Sequence, residues 1–216
     1  MTGNLPRDID STRATFNQIA EDFDRTRSYA WSAVSMFIEE EPTVEVAIDI
    51  GCGNGRHSEL FIEQDTSVIG LDLSRKLLEH AVARVASSRF LPVEGTATNL
   101  PVSDSMIDRG IYIATIHHLP TRSDRIVSLD ELARVLKPNG VALISGWSVH
   151  DDRFDEQAAF DTVIDWTLPS GETIPRFYHL YDEQDFAGEL EESNLSIERQ
   201  WRESGNCYAS VTVAPE

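Results

Sequence analysis

The chain has 216 residues, 41% of them hydrophobic, which suits one domain with a sizeable core. Its 37 acids against 18 bases give a net charge of −19, so a solvated acidic surface is expected. No stretch approaches the roughly 20 apolar residues of a membrane span, and the polar Met1–Asp10 stretch is not expected to be a signal peptide. Cys52 and Cys207 are too few for a disulfide framework or a metal cluster, which makes a reduced, cytoplasmic setting the simplest expectation.

In chain order, Phe16, Ile19, Ala20 and Phe23 form a helical stripe over Thr15–Phe23. A second helix runs to about Glu40 with Trp31, Val34 and Ile38 on one face, closed by Pro42. Residues 1–44 thus read as a helical lid, with Arg25 and Arg27 open to reading as plain helix-surface charge. From residue 45 strands and helices alternate: strand 45–50, a helix near 55–64, strand 67–71, and a helix capped by Ser74 with Leu77, Leu78, Ala81, Val82 and Val85 as its stripe. A third strand follows near 89–94, then the loop 95–101 and a fourth strand, Ile107 to Ala114. Thr121 to Asp124 fits a capping box, and the helix it opens leads through the turn Lys137-Pro138-Asn139-Gly140 into a fifth strand, Val141 to Trp147. Residues 150–175 are acidic and expected to be loop, with a short helix at Glu156–Ile164. A helix of about 182–192 precedes a closing hairpin, 195–203 with 206–213, turned at Ser204-Gly205. Five strand–helix units and a hairpin predict an α/β, Rossmann-like fold: a seven-stranded mixed sheet with helices on both faces, in one domain over 1–216.

The chain is organised around Glu45 to Arg56, where a buried strand runs into Gly51-Cys52-Gly53-Asn54-Gly55. Glycine there leaves the backbone open to close approach by a ligand. The second strand ends in an acid, Asp72, 21 residues beyond Gly51, which is the logic of a nucleotide cradle with a ribose-holding carboxylate. A dinucleotide loop would need its third glycine at Arg56. The spacing Asp49-x-Gly51-x-Gly53-x-Gly55 instead resembles class I S-adenosylmethionine-dependent methyltransferases over residues 45–147. That resemblance implies S-adenosylmethionine as cofactor. Gly51, Cys52 and Gly53 would approach its methionine part, Asp49 would help fix the ammonium group, and Asp72 would accept from the ribose hydroxyls. Leu73 would pack on adenine, Thr96 and Ala97 would flank its edge, and Ala114, at the end of the fourth strand, would also bind the cofactor. Thr96 stands where the family usually has an acid.

Neither cysteine is placed to activate a pyrimidine carbon, and Ala114-Thr115-Ile116-His117-His118 replaces the motif used for amide or base-amine methylation. Three stretches resemble the tRNA wobble-uridine carboxymethyl methyltransferases: Thr26-Arg27-Ser28-Tyr29-Ala30-Trp31, Ile116-His117-His118-Leu119-Pro120-Thr121 and Arg176-Phe177-Tyr178-His179-Leu180-Tyr181. Asn206-Cys207-Tyr208 is similar to that family's closing Asn-Trp-Tyr, with cysteine in place of tryptophan. The resemblance implies esterification of a carboxymethyl uridine in tRNA, with Arg27, His117, Tyr178 and His179 at the reacting group. His118, Arg122, Arg125 and Arg176 would bind the substrate, the two arginines after Thr121 meeting phosphates. One of the adjacent histidines is expected to be structural, with His117 favoured for the pocket; Phe177 and Tyr178 are open to reading as core aromatics and Arg125 as surface charge. The resemblance also implies a heterodimer with a small zinc-ribbon activator, for which the apolar third strand near Arg89–Val93 offers a sheet edge. An acceptor among quinones, sterols or carboxylic acid metabolites is the alternative. A surface with Lys76 and Lys137 as its only lysines fits a halophilic, archaeal cytoplasm, the other reading being an acidic protein of an ordinary cell. In about 1 M salt the Debye length is near 3 Å, so the net charge does not exclude RNA where arginines cluster.

Overall fold

The computed structural model describes residues 8–40 and 43–215. It begins with α1 (Ile9–Thr26), whose start is set by Asp8: the carboxylate accepts from the Ser11 N–H at 2.7 Å. Ile19 and Ala20 on its inner face are buried, and it ends at Arg27 before α2 (Ser32–Glu39), which buries Val34 and Ile38. The stop expected at Pro42, and most of the polar Met1–Asp10 stretch, lie outside the described residues.

The α/β alternation follows as β1 (Val46–Ile50), α3 (Ser58–Glu63), β2 (Ser67–Asp72), α4 (Arg75–Val85), β3 (Phe90–Glu94), β4 (Ile107–Ile113), α5 (Arg122–Val135) and β5 (Leu136–Trp147). Ser74 caps α4 by accepting from the Leu77 N–H, and Thr121 caps α5 by accepting from the Asp124 N–H. α3 starts three residues later than expected, because 51–57 are spent on turns. The Lys137–Gly140 turn falls inside β5 as an outpocketing: Leu136 pairs with Ile107, and the next paired residue, Val141, faces Arg109.

Residues 150–175 depart from expectation. Instead of a helix at Glu156–Ile164 they contribute β6 (Phe160–Thr167), which pairs antiparallel with β7 (Thr173–Leu180) as a separate two-stranded sheet. The β-branched and aromatic run Thr162-Val163-Ile164-Asp165-Trp166-Thr167 prefers a pleated surface, and Gly171 at φ 87° supplies the turn. The chain closes with α6 (Glu183–Glu192), β8 (Leu195–Glu203) and β9 (Asn206–Val213). Ser204 and Gly205 both take positive φ, as a two-residue hairpin turn demands.

The main sheet has the order β3-β2-β1-β4-β5-β9-β8. The first five strands are parallel, and β9 runs antiparallel between β5 and β8. Side chains alternate across it: Ile48 and Ile50 pack on one face with Leu129, Leu132 and Phe186, while Ala47, Ile111 and Leu143 pack on the other with Val34 and Phe61. Chain order reverses between β1 and β4, the place where open α/β sheets bind ligands beyond their carboxyl ends.

A cradle and an aromatic pocket in one cavity

A cavity of about 710 Å³ lies at that switch point, within the range of roughly 300–1,000 Å³ typical of small-molecule sites. One half is built by the glycine loop. The N–H groups of Gly51 and Cys52 both reach the Leu71 carbonyl, at 2.7 and 3.0 Å, which docks the loop on the end of β2. Gly51 has φ 71°, and a Cβ there would lie 2.2 Å from the Thr115 hydroxyl oxygen, so neither its backbone nor its surroundings admit a side chain. Asp72 closes the loop from the other side. Its carboxylate accepts from the Gly53 N–H at 2.8 Å and the Ser74 N–H at 2.7 Å, one bond per oxygen, which leaves acceptor capacity on each for a pair of hydroxyls. Burial outweighs these bonds and raises the Asp72 carboxyl to about 6.

Gly51, Cys52, Gly53, Asp72, Leu73, Thr96, Ala97 and Ala114 all line the cavity. Asp49 does not: it is 1% exposed beneath the loop, accepts from the Ser58 hydroxyl at 2.7 Å, and is raised to about 7 by burial. Asp49, expected to help fix the ammonium group, braces β1 against α3 from outside the cavity lining. At the position of the usual acid, the Thr96 hydroxyl is engaged with Thr98 at 3.0 Å. Ala114 adopts φ 51°, a left-handed conformation costly for a residue with a Cβ, and is held there by its N–H on Ser145. The Asn54 amide ties the loop to α1 by donating to Asp24 and to the Arg27 carbonyl at 2.8 and 3.0 Å. Its Oδ1 is buried and has no partner among the described residues.

The other half is aromatic and cationic. His117 and His118 sit on a short 3₁₀ turn after β4, their rings 4.5 Å apart. The His117 Nδ1 accepts from the Trp147 N–H at 2.9 Å, so its Nε2 carries the hydrogen and is a donor. His118 is the reverse: its Nδ1 donates to the Phe177 carbonyl at 2.9 Å, leaving Nε2 as an acceptor. Burial pushes His117 well below the ordinary histidine value and His118 down to about 3, so both are neutral at pH 7. Tyr178 packs against both rings, at 5.1 and 4.5 Å, and is 4% exposed. Arg27, Arg56, Arg153 and Arg176 also line the cavity, as do Asp8, Asp72, Asp124 and Asp151, the last paired with Arg153.

Three assignments are corrected by the tertiary packing. His179 alternates away from Tyr178 along β7 and is held between Asp161 at 2.9 Å and Asp185 at 2.7 Å, joining the hairpin to α6 outside the cavity. Arg125 is 3% exposed, and its guanidinium makes a fork on Glu189 at 2.6–3.0 Å, so it does not meet phosphates. Arg122 points to Glu192 at 2.5 Å, half-exposed and likewise outside the cavity lining. Sequence reading missed Trp147, Arg153 and Trp166, which the end of β5, the segment after it and the β6–β7 hairpin bring to the pocket; the alternation around Trp166 was the available signal.

A glycine cradle after β1, a two-oxygen acceptor at the end of β2 and a pocket facing both define a class: a class I S-adenosylmethionine-dependent methyltransferase. The cavity, the side-chain-free backbone at Gly51 and Gly53 and the spare lone pairs of Asp72 fit that cofactor. The comparisons agree. The family model "Methyltransferase domain" matches residues 48–144. The tRNA (carboxymethyluridine(34)-5-O)-methyltransferase of Saccharomyces cerevisiae is 32% identical over 165 residues, 74% of this chain and 58% of that one. A protein of Encephalitozoon cuniculi, named as a methyltransferase with no substrate given, is 34% identical over 173 residues, 77% of this chain and 78% of its own. The solved complex between the Haloferax volcanii Trm112 methyltransferase activator and a methyltransferase contains a chain that superposes with a TM-score of 0.71 at 14% identity, covering 95% of this chain and 98% of that one. The chain belongs to the class I S-adenosylmethionine-dependent methyltransferases, and tRNA carboxymethyluridine methyltransferases are among the relatives it is similar to. It spans 58%, 21% and 32% of the lengths of three such relatives, from yeast, mouse and Arabidopsis thaliana.

Proposed function

We propose that this protein transfers a methyl group from S-adenosylmethionine to the carboxylate of a carboxymethyl-type wobble uridine in tRNA. One observation carries the reading: an aromatic, arginine-lined pocket with a neutral histidine donor opens onto the cofactor cradle. Gly51, Gly53, Asp72, Leu73, Thr96, Ala97 and Ala114 would hold the cofactor, which supplies an electrophilic methyl on a sulfonium. A carboxylate with a pKa near 4 is ionised at neutral pH, so the enzyme needs no general base. With the cofactor bound, a carboxylate oxygen would take the methyl as the carbon–sulfur bonding pair stayed with sulfur, so no side chain here would have to move a proton. The protein's work is alignment. The His117 Nε2–H is suited to donate to the acceptor carboxylate, whereas the Nε2 lone pair of His118 would repel it. Tyr178 is suited to border the uracil.

A carboxylic acid metabolite would use the same groups, and the acidic surface favours it over a polyanion. Incubation with radiolabelled cofactor and tRNA separates the two: label entering tRNA and lost on mild alkaline hydrolysis indicates an ester, and label entering only small molecules overturns the tRNA reading. We further read the chain as one cytoplasmic domain, its acidic, lysine-poor composition fitting a halophilic, archaeal cell. No described helix is long and apolar enough to cross a membrane. Its proposed partner is a small zinc-ribbon activator. Support comes from β3, the edge of the sheet, where Leu91 is 58% exposed. Leu91→Glu should abolish co-purification with such a subunit; unchanged co-purification would move the contact elsewhere.

A further inference from the structure

Most arginines in the structure have their anion. Arg84 meets Asp24 and Glu59, Arg125 meets Glu189, Arg134 meets Glu131 and Asp104, and on the cavity wall Arg153 meets Asp151 at 2.8 Å. Arg176 is different. It is half-buried on the cavity wall, its Nε is buried without a hydrogen-bond partner, and no carboxylate pairs with it among the described residues. Its charged neighbours, Arg27 and Arg153, are of the same sign, and together with burial they lower its own proton affinity. The side chain is nonetheless held in place. Its guanidinium carbon lies 4.8 Å from the Trp166 ring centre and 5.0 Å from that of Tyr178, and it hydrogen-bonds with Tyr178.

The hairpin explains the placement. Arg176 and Tyr178 share one face of β7, while Arg176 is paired with Ile164 and so sits diagonal to Trp166 on β6. Trp166 is fixed in turn by its indole N–H on Asp22 of α1 at 2.8 Å. A cation taken out of water beside other cations is costly unless an anion arrives. A planar fork with a free Nε edge, walled by two rings, matches a planar carboxylate in a bidentate pose. Arg27 is exposed and shares the Trp166 ring at 4.9 Å, so it borders this subsite from the solvent side.

We propose that Arg176, with Trp166 and Tyr178 as walls, forms the carboxylate-binding subsite for the methyl acceptor, and that Arg27 lies on the path to it rather than at the anchoring position. This rests on the reading above that the acceptor is a carboxylate. It sets specificity as well as position, since an acceptor ending in a neutral amide would leave the guanidinium unpaired.

The test compares anticodon stem-loop RNAs bearing 5-carboxymethyluridine or 5-carbamoylmethyluridine, bound to the protein in the presence of S-adenosylhomocysteine. The wild type should prefer the carboxylate by roughly 10–100-fold, the range of charge-assisted bidentate bonds. Arg176→Gln should erase that preference while keeping its affinity for S-adenosylhomocysteine, and Arg176→Lys should restore part of it. A full preference in Arg176→Gln overturns the subsite and leaves the tRNA reading standing. Phenylacetate and phenylacetamide are the second probe pair. If neither RNA is preferred but phenylacetate binding is lost in Arg176→Gln, the subsite stands and the tRNA reading falls. If phenylacetate binding also survives, the subsite falls.

Discussion

Removing Arg125 separates a structural role from nucleic-acid contact. Its guanidinium gives Glu189 three contacts of 2.6–3.0 Å, and Glu189 is 1% exposed. In Arg125→Ala the carboxylate keeps only the Tyr181 hydroxyl at 2.9 Å and Arg122 at 3.9 Å. An ion pair broken from one side in such a place costs about 3–5 kcal/mol, against about 0–1 for an exposed pair. Urea denaturation should therefore shift the midpoint strongly at constant slope. The double variant Arg125→Met, Glu189→Met removes both charges. It leaves the Tyr181 hydroxyl unpartnered, a cost of about 1–3 kcal/mol, so it should be more stable than the single variant. Both folded variants should bind stem-loop RNA like the wild type at temperatures well below unfolding. A stability loss under about 1 kcal/mol, or a double variant no better than the single, would refute the buried-pair account. Weakened RNA binding by a stable variant would return Arg125 to the phosphate role.

Three other outcomes follow from the site. Gly51→Ala should destabilise by about 2–5 kcal/mol, combining the left-handed backbone with a methyl forced against Thr115, and adding Thr115→Ala should recover part of it in urea titrations. Asp72 carries two opposite pH effects. Its carboxyl is raised to about 6, so the stability it lends the free fold is complete below the ordinary carboxylate value near 4 and is lost as pH rises through 6. Affinity for S-adenosylhomocysteine, which needs the ionised acceptor, should rise over the same interval; calorimetry should show Asp72→Asn weak and without that rise, and a retained rise would remove Asp72 from the ribose site. With both histidines neutral, kcat at saturating cofactor should carry no histidine step from pH 6.5 to 8, any step there belonging to Asp49, raised to about 7, and vanishing in Asp49→Asn. His117→Ala should lower kcat far more than His118→Ala, and a step near the ordinary histidine value that persists in Asp49→Asn would contradict the tautomers assigned here.

The cradle was legible in the chain because it is local. Glycines at alternate positions after a strand, an acid closing the next strand, Ser74 and Thr121 as caps, and Ser204-Gly205 as a turn each act through neighbours a few residues away. Their consequences are geometric necessities of the backbone, whatever the rest of the fold does. The acceptor half is not local. Whether His117 donates or accepts depends on the Trp147 N–H, thirty residues away on another strand. Tyr178 and His179 are neighbours that a pleat sends to opposite sides, and only the pairing of β6 with β7 decides which one faces the cavity. Arg125 and Arg176 are the same residue type. One is quenched by Glu189 from α6, and the other has no anion among the described residues, since the hairpin brings it tryptophan and tyrosine instead. Charge and hydrogen-bond roles are set by what is within about 3 Å in space, and that is decided by the tertiary fold. The sequence by itself determined a cofactor cradle; the packing of the hairpin against α1 and β5 determined which side chains meet the acceptor.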